Sequence, residues 1–325
     1  MSHFRALFRL VVCMEEITPL PLRRPEAVPS DADFEQAWND HRRHLLDVAY
    51  RLLGSVSDAE DAVQEAYGRL LQARRAEIED VRAWLTTVVT RLCLDQLRSA
   101  RVQREAYIGP WFPEPLIEGA DPLADPAERI TLDDSVRMAM LIVLEELSPA
   151  ERVVFVLHEI FQFPFEHIAR MVDRTPAACR QLASRARRHV NTAHSPRSRV
   201  DVDEQRRVTE RFIEAVETGE LRPLLDVLDP MVAGWADVGG AVERVREPQV
   251  GRDAVAARLL RLFGPAGEVR LSPVMVNGEP GVIALRDQAV LSVIVLTTAG
   301  GLVTKINAIA DPRKLRHLAP LAART

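Results

Sequence analysis

From Arg174 to Val200 the chain carries seven arginines and no acidic side chain. Guanidinium groups at that density can pair with phosphate or fork onto the edge of a base. A helix drawn through TPAACRQLASRARRHV gathers Cys179, Leu182, Ala183, Ala186 and Val190 on one narrow apolar face, at the i, i+3/4, i+7 spacing of an amphipathic helix. Arg180, Gln181, Ser184, Arg185, Arg187 and Arg188 then project from the opposite side. Thr175 can serve as N-cap and Pro176 suits the first turn, where its missing N–H costs nothing. Ala177, Ala178 and Ala183 would let the helix approach another surface closely. Taken alone, a basic amphipathic helix is more often a solvated face than a nucleic-acid reader, so its neighbours must decide.

Two other clusters bear on that decision. Asp58, Glu60, Asp61 and Glu65 fall in a stretch, 57–66, with no basic residue. Charges at a helix N-terminus explain the first three, while Asp61, Gln64 and Glu65 present a polar side that would suit a partner carrying arginines. Downstream, Arg82, Thr86, Thr87, Thr90, Arg91, Arg98, Arg101 and Arg104 form a face of hydroxyls and guanidiniums. Such groups supply phosphate contacts, and a planar guanidinium can also stack on a base. Trp84 has apolar neighbours at i+1 and i+4 and reads as core.

The elements that must hold these residues follow from periodicity. Phe34, Ala37, Trp38, His41, Leu45, Val48, Ala49 and Leu52 repeat every 3.6 residues, and Gly54 closes that helix. Ser57 is then expected to cap the next helix, with Glu60 at the capping-box position. A long pattern over VRAWLTTVVTRLCLDQLRSARVQREA follows. The stretch 109–128 holds five prolines and two glycines and is expected to be a linker without regular structure. A second helical block over 129–194 contains Leu147-Ser148-Pro149, a stop and a cap, then FEHIARMVD and the arginine-rich helix joined by a short turn around Arg174. Two helices so joined are a helix-turn-helix. After a hinge at 195–203, residues 204–228 read as helix broken at Gly219 and Pro223. LSPVMVNG, PGVIALRD, AVLSVIVLTTAG and GLVTKINAIAD then read as strands between turns. The fold expected is multidomain: all-α at 34–108, all-α at 129–194, and α+β at 204–325.

Composition narrows the function classes. The 325 residues carry a net charge of −5, which argues against an indiscriminately basic coat protein but leaves room for local patches. Cys13, Cys93 and Cys179 lie far apart and make neither a metal spacing nor a disulfide framework. Of the 42 basic residues all but Lys305 and Lys314 are arginine, a bias that suggests a GC-rich genome. No apolar run is long enough to span a bilayer. Residues 1–33 read as a disordered tail, and initiation at Met14 would account for its apolar start. No cofactor or metal is expected.

In this order, DAEDAVQEAYGRLLQA, RAWLTTVVTRLCLDQLRSARVQREAY and LSPAERVVFVLHEIFQFPFEHIARMVDRTPAACRQLASRARR resemble regions 2 and 4 of extracytoplasmic-function sigma factors. The linker YIGPWFPEPL and the carboxy-terminal part resemble the SigJ/SigI-type subgroup, whose third domain is SnoaL-like, of the cystatin-like cone fold. RFIEAVETGELRPLLDVLDPMV is similar to the first helices of that fold. WADVGG, with Asp237, Gly239 and Gly240, and ADPRKL, with Asp311, Pro312 and Lys314, stand where the subgroup carries its glycine-rich and Asn-Pro motifs. The chain departs from the pattern at Val238, Ala241 and Ala310. The resemblance implies core RNA polymerase and promoter DNA as partners, in the cytoplasm, with the free chain a monomer. It implies that Asp58, Asp61, Gln64 and Glu65 meet the polymerase. It assigns Arg82, Thr86, Thr87, Thr90, Arg91, Arg98 and Arg101, with Arg74 and Arg75 of the preceding loop, to the −10 element. Thr175, Ala177, Arg180, Gln181, Ser184, Arg185, Arg187 and Arg188 are assigned to the −35 element. Trp111 joins the two extension motifs as a regulatory contact. An exposed Trp111 and Phe112 would be unusual on a solvated tether, and packing on the helical domains or on the extension remain equally open.

Two other classes deserve comparison. SnoaL-like folds also host enzymes that use Asp or His as a general base, but residues 204–316 contain no histidine, and Asp226, Asp229 and Asp253 suit turns and caps. Such a pocket can hold a small ligand, of unspecified identity, without turnover. A plain helix-turn-helix repressor would leave both the acidic helix and the Arg82–Arg104 face without a role.

Overall fold

The computed structural model describes residues 31–74, 78–104, 110–118, 130–131, 136–193, 201–239 and 247–322. Residues 1–30 of the expected amino-terminal tail, Arg75, Gly240 and residues 119–128 lie outside them, whereas Asp31, Ala32 and Asp33, expected in the tail, belong to the first helix.

Three helices open the chain: α1 (Asp31–Leu53), α2 (Val56–Gln72) and α3 (Val81–Arg104). Gly54 closes α1 in the left-handed region, at φ 68°, with its N–H on the Tyr50 carbonyl at 2.7 Å. The α2 cap is Ser55 rather than Ser57. Ser55 Oγ accepts the Asp58 N–H at 3.1 Å. The helix can start early because a carboxylate from outside it, that of Glu114, accepts the Val56 N–H at 2.6 Å.

The second helical block comprises α4 (Met138–Glu145), α5 (Pro149–Phe155), α6 (Phe165–Val172) and α7 (Pro176–Ala193), with a π turn continuing α5 over Val156–Ile160. Ser148 and Glu151 form the capping box that starts α5. Asp173 ends α6 at φ 54°, and Thr175 Oγ accepts the Ala178 N–H to begin α7. The turn around Arg174 is therefore as short as expected.

The two helical blocks do not sit apart. Val48, Leu52, Val89 and Leu97 share one core with Leu141, Val154, Ile168 and Leu182. Buried polar groups lock the same seam. Asp47 accepts from the Thr131 N–H at 2.6 Å and hydroxyl at 2.8 Å, while Arg51 donates to Asp47 and to the Thr131 carbonyl. Arg152, also buried, pairs with Glu145 and reaches the Arg51 carbonyl at 3.4 Å.

The third part begins with α8 (Val202–Glu217) and α9 (Leu221–Val227): the helix breaks at Gly219 as expected, but not at Pro223, which sits in the first turn of α9, where its missing N–H costs nothing. It continues as β1 (Leu228–Asp237), β2 (Gln249–Val250), α10 (Arg252–Phe263), β3 (Arg270–Val276), β4 (Glu279–Arg286), β5 (Ala289–Ala299), β6 (Leu302–Ile309) and a short α11 (Ala319–Ala322). The six-stranded sheet has the order β2-β1-β6-β5-β4-β3. Only β1 and β6 run parallel. Three two-residue turns build the β3–β6 meander, and both central residues of each have positive φ: Asn277-Gly278, Asp287-Gln288 and Gly300-Gly301. That is the turn geometry whose twist matches paired strands.

Alternation along the strands gives the sheet two buried faces. Val282, Ala284, Ile294, Leu296 and Ile306 pack under α8 and α10. Ile283, Leu285, Val293, Val295 and Ile309 pack on the other side against Phe112, Ile117 and Met138. Residues 110–118 of the proline-rich stretch are thus no solvated tether. They lack regular structure, as expected, yet Phe112, Leu116 and Ile117 are each below a twentieth exposed, and Trp111 is partly covered. The reason is geometric: residues 110–118 lie between the helical body and the open sheet face, bridging to β3 through Ile117 and Val276. We call this segment the strap. Among the described residues no helix is long and apolar enough to cross a membrane.

Candidate functional site

The outer face of α7 is built as its pattern predicts. Cys179, Leu182, Ala183, Ala186 and Val190 are buried, and Thr175, Ala177, Arg180, Gln181, Ser184, Arg185, Arg187 and Arg188 are exposed. Three of the arginines lean on acids of the same block. Arg180 meets Glu166 at 3.2 Å, Arg185 meets Glu151 at 2.8 Å, and Arg187 meets Glu159 at 2.5 Å. Partial burial pushes the Glu151 carboxyl up, but hydrogen bonds from Ser148 and Arg185 outweigh it and hold the group below its ordinary value. Exposed pairs of this kind contribute about 0–1 kcal/mol each. They orient the guanidiniums without competing strongly against a phosphate.

On α2, Asp58, Asp61, Gln64 and Glu65 are all exposed, above the buried stripe Ala59, Ala62, Val63 and Ala66. Glu65 is paired with Arg69 at 2.6 Å, so the acidic patch has one internal partner just beyond the segment that lacks them.

The α3 face is narrower than its composition suggests. Arg82 and Arg98 are exposed and Thr87 is partly so, but Thr86 and Thr90 are fully buried. Thr86 satisfies its hydroxyl on the Arg82 carbonyl at 2.8 Å, which lets a threonine face the core. These two side chains cannot reach DNA in this conformation. Arg91 is spent otherwise: its guanidinium donates to the Met171 and Arg170 carbonyls at 3.3 and 3.0 Å, at the end of α6. Arg74 is exposed in the loop before α3, and the Arg101 side chain lies outside the described residues.

Of the expected regulatory residues, Trp111 lies in the strap and Asp237 and Lys314 reach it. Asp237, fully buried at the end of β1, accepts the Phe112 N–H at 2.8 Å and the Lys314 ammonium at 2.6 Å. Lys314 also donates to the Phe112 carbonyl and sits 3.8 Å from the centre of the Trp111 ring, a cation–π contact. Burial pulls the lysine below its ordinary pKa, while the Asp237 charge opposes that shift. Gly239, at φ 75°, passes so close to Asp311 that a Cβ would lie 3.0 Å from its carboxylate. Asp311 is buried and held by Arg313, and Pro312 is exposed. Ala310, where the family pattern has asparagine, contributes its backbone N–H to the Asp237 carbonyl at 2.7 Å.

Four residues of this clamp are not evident from sequence. Asn277 Oδ1 accepts the Leu116 N–H at 2.9 Å, and its Nδ2 donates to Tyr50 Oη and the Val136 carbonyl, both at 2.9 Å. One buried amide therefore touches both helical blocks and the strap. Tyr50 donates to the Glu114 carbonyl at 2.7 Å, and the Glu114 carboxylate caps α2 through Val56, Ser55 and Ser57. His317 Nε2 lies 2.8 Å from the Pro115 carbonyl. The Asn-Gly pair is legible as a turn, but nothing local reveals that its side chain bridges three segments.

A helix-turn-helix with an arginine-lined outer face, a second helical block packed on it and a fused α+β domain define the class. Residues 37–102 match Sigma-70 region 2, and residues 137–190 match Sigma-70, region 4. The chain is 44% identical over 285 residues to the Mycobacterium tuberculosis protein described as "Probable ECF RNA polymerase sigma factor SigI", covering 87% of this chain and 94% of that one. It is 40% identical over 286 residues to the ECF RNA polymerase sigma factor SigJ of M. tuberculosis, covering 84% and 90%. The crystal structure of M. tuberculosis SigJ aligns with a TM-score of 0.67 at 36% identity, over 87% of this chain and 98% of that one. The chain belongs to the extracytoplasmic-function RNA polymerase sigma factors. It is an alternative sigma factor, which works with core RNA polymerase and directs promoter recognition.

Proposed function

We propose that the free chain is a closed sigma factor, in which the extension grips the strap and keeps both DNA-reading regions together until polymerase and promoter separate them. One observation carries this reading: Arg91, on the region 2 face, is hydrogen-bonded to the end of α6. The chain from Met171 to Thr175 spans at most about 14 Å, so with the arginine's own reach the two faces meet within roughly 25 Å. The names of the −10 and −35 elements put them about 25 base pairs apart, or roughly 85 Å at about 3.4 Å per pair. The closed form cannot read both.

In this reading Asp58, Asp61, Gln64 and Glu65 dock on core polymerase. Arg74, Arg82, Thr87, Arg91 and Arg98 serve the −10 element, with Arg75 and Arg101 assigned there by the family pattern alone. Arg180 and Gln181 read −35 base edges, while Arg185, Arg187 and Arg188 meet phosphates. In this reading the extension regulates the sigma regions rather than turning over a substrate. Two forms test the gate: a chain ending at residue 203, and the full chain with Asp237→Asn and Lys314→Met. Both are expected to bind core polymerase and a matched promoter at least about tenfold more tightly than the intact protein. Equal affinities and equal run-off transcription for all three would refute the gate.

A further inference from the structure

Between α10 and the sheet the extension carries a pocket of about 370 Å³, partly open to solvent and within the range of small-molecule sites. Val255, Leu259, Leu262 and Phe263 of α10 face Ile306 and Ala308 of β6 across it. Its walls are mostly apolar and Leu262 is exposed, so a ligand with an apolar body gains by covering them.

Its polar groups are few and of one sign. Arg258 and Arg286 are the charged side chains among the described lining residues. Arg258 is partly buried and donates to a neutral amide, Gln249 Oε1, at 3.4 Å. Arg286 donates to the Gly267 carbonyl at 3.2 Å, and the Ser292 hydroxyl is spent on the Ile309 carbonyl at 3.0 Å. Neither arginine has a carboxylate partner among the described residues. A partly desolvated guanidinium beside an apolar wall favours an anion, and the wall favours an apolar body behind it.

The cavity also touches the clamp. Val238 and Ala310 line it, at the ends of the paired strands β1 and β6. Their neighbours Asp237, Gly239 and Asp311 hold Lys314, Arg313 and the strap on the opposite face of the sheet. Anything that shifts these strand ends from the cavity side shifts the clamp.

We infer that this cavity binds a small amphipathic monoanion, an apolar body with one carboxylate-type head at Arg258, and that its occupancy alters the grip on the strap. The second half of this statement rests on the extension being the gate; the first does not.

The test uses the full chain and three probes below their micellar concentrations: decanoate, decan-1-ol and decyltrimethylammonium. Calorimetry is expected to show decanoate binding about tenfold or more tightly than the other two. Arg258→Ala should erase that preference while leaving decan-1-ol binding unchanged, and Ala308→Trp should abolish binding of both. Should Ala308→Trp not fold, a photoreactive decanoate analogue decides the location in the wild type, with labelling expected in peptides from β1, α10 and β6. Equal affinity for all three probes, or labelling elsewhere, would overturn the site. Bound decanoate should also change amide hydrogen exchange across 110–118. Binding without such a change would overturn the coupling alone. A failed gate in the truncation experiment would leave the binding result standing.

Discussion

At the scale of single residues, the proposed reading divides the α7 face into side chains assigned to bases and others assigned to phosphates. Arg180→Ala is expected to cost about 1–3 kcal/mol of discrimination between a matched and a scrambled −35 sequence. Arg188 carries no ion pair among the described residues, and Arg188→Ala should weaken all sequences alike and lower the slope of log K against log salt by about one. Quantitative binding at several salt concentrations checks both; equal losses on both sequences for Arg180→Ala would contradict the assignment. Asn277 makes a different claim. Asn277→Ala leaves the Leu116 N–H, the Tyr50 hydroxyl and the Val136 carbonyl short of a buried partner, and should lower unfolding stability by about 2–4 kcal/mol. A denaturant titration measures that directly, and a change below about 0.5 kcal/mol would contradict the bridging role. The α7 face was legible because one apolar stripe decides which side faces out. Thr86 and Thr90 were not, because α3 is covered on a second side by the helix-turn-helix block, which no pattern within α3 announces.

At the scale of elements, the helices of the two helical blocks, α8, α9 and the strands of the β3–β6 meander follow from periodicity and turn chemistry, while α10, β1, β2 and the strap do not. Prolines at 110, 113 and 115 exclude helix and ladder, and the absence of a period removes the signal by which burial is read. An extended segment covered from both sides has no polar face to reveal it. The same limit hid the α2 cap: Ser55 replaces Ser57 only because Glu114 arrives from a distant part of the chain. Beyond that cap, α2 exposes Asp61 and Glu65 while its other side is core. Reversing both charges with Asp61→Arg and Glu65→Arg should abolish capture of core polymerase and leave the melting temperature nearly unchanged. Among the described residues the pair disturbed is Glu65–Arg69, an exposed contact worth about 0.3–0.5 kcal/mol. Co-purification of the double variant with core enzyme at wild-type levels would contradict the docking assignment.

At the scale of the whole molecule, the two helical blocks, which the proposed reading sets far apart on a promoter, share a single core here, and the third part closes over their connection. Opening therefore costs burial at two seams: α3 against the helix-turn-helix block, and the strap with Met138 against the sheet. Ligand, polymerase and DNA can shift that equilibrium only by binding the open form better. Sequence patterns divide the chain into three parts but are silent on how the parts meet, since the contacts that join them pair residues as distant as Tyr50 and Asn277. The direct measurement is the distance between the two reading regions. Cysteines placed at the exposed positions Asp95 and Thr192, in a chain with Cys13→Ser, can carry a donor and acceptor dye; Cys93 and Cys179 are buried and resist labelling. Single-molecule energy transfer should show one high-efficiency population in the free protein. Adding core polymerase and promoter should convert it to a population with the dyes more than about 50 Å apart, consistent with the roughly 85 Å between elements. A free chain that already occupies the low-efficiency state, and does not change on binding, would contradict the closed form.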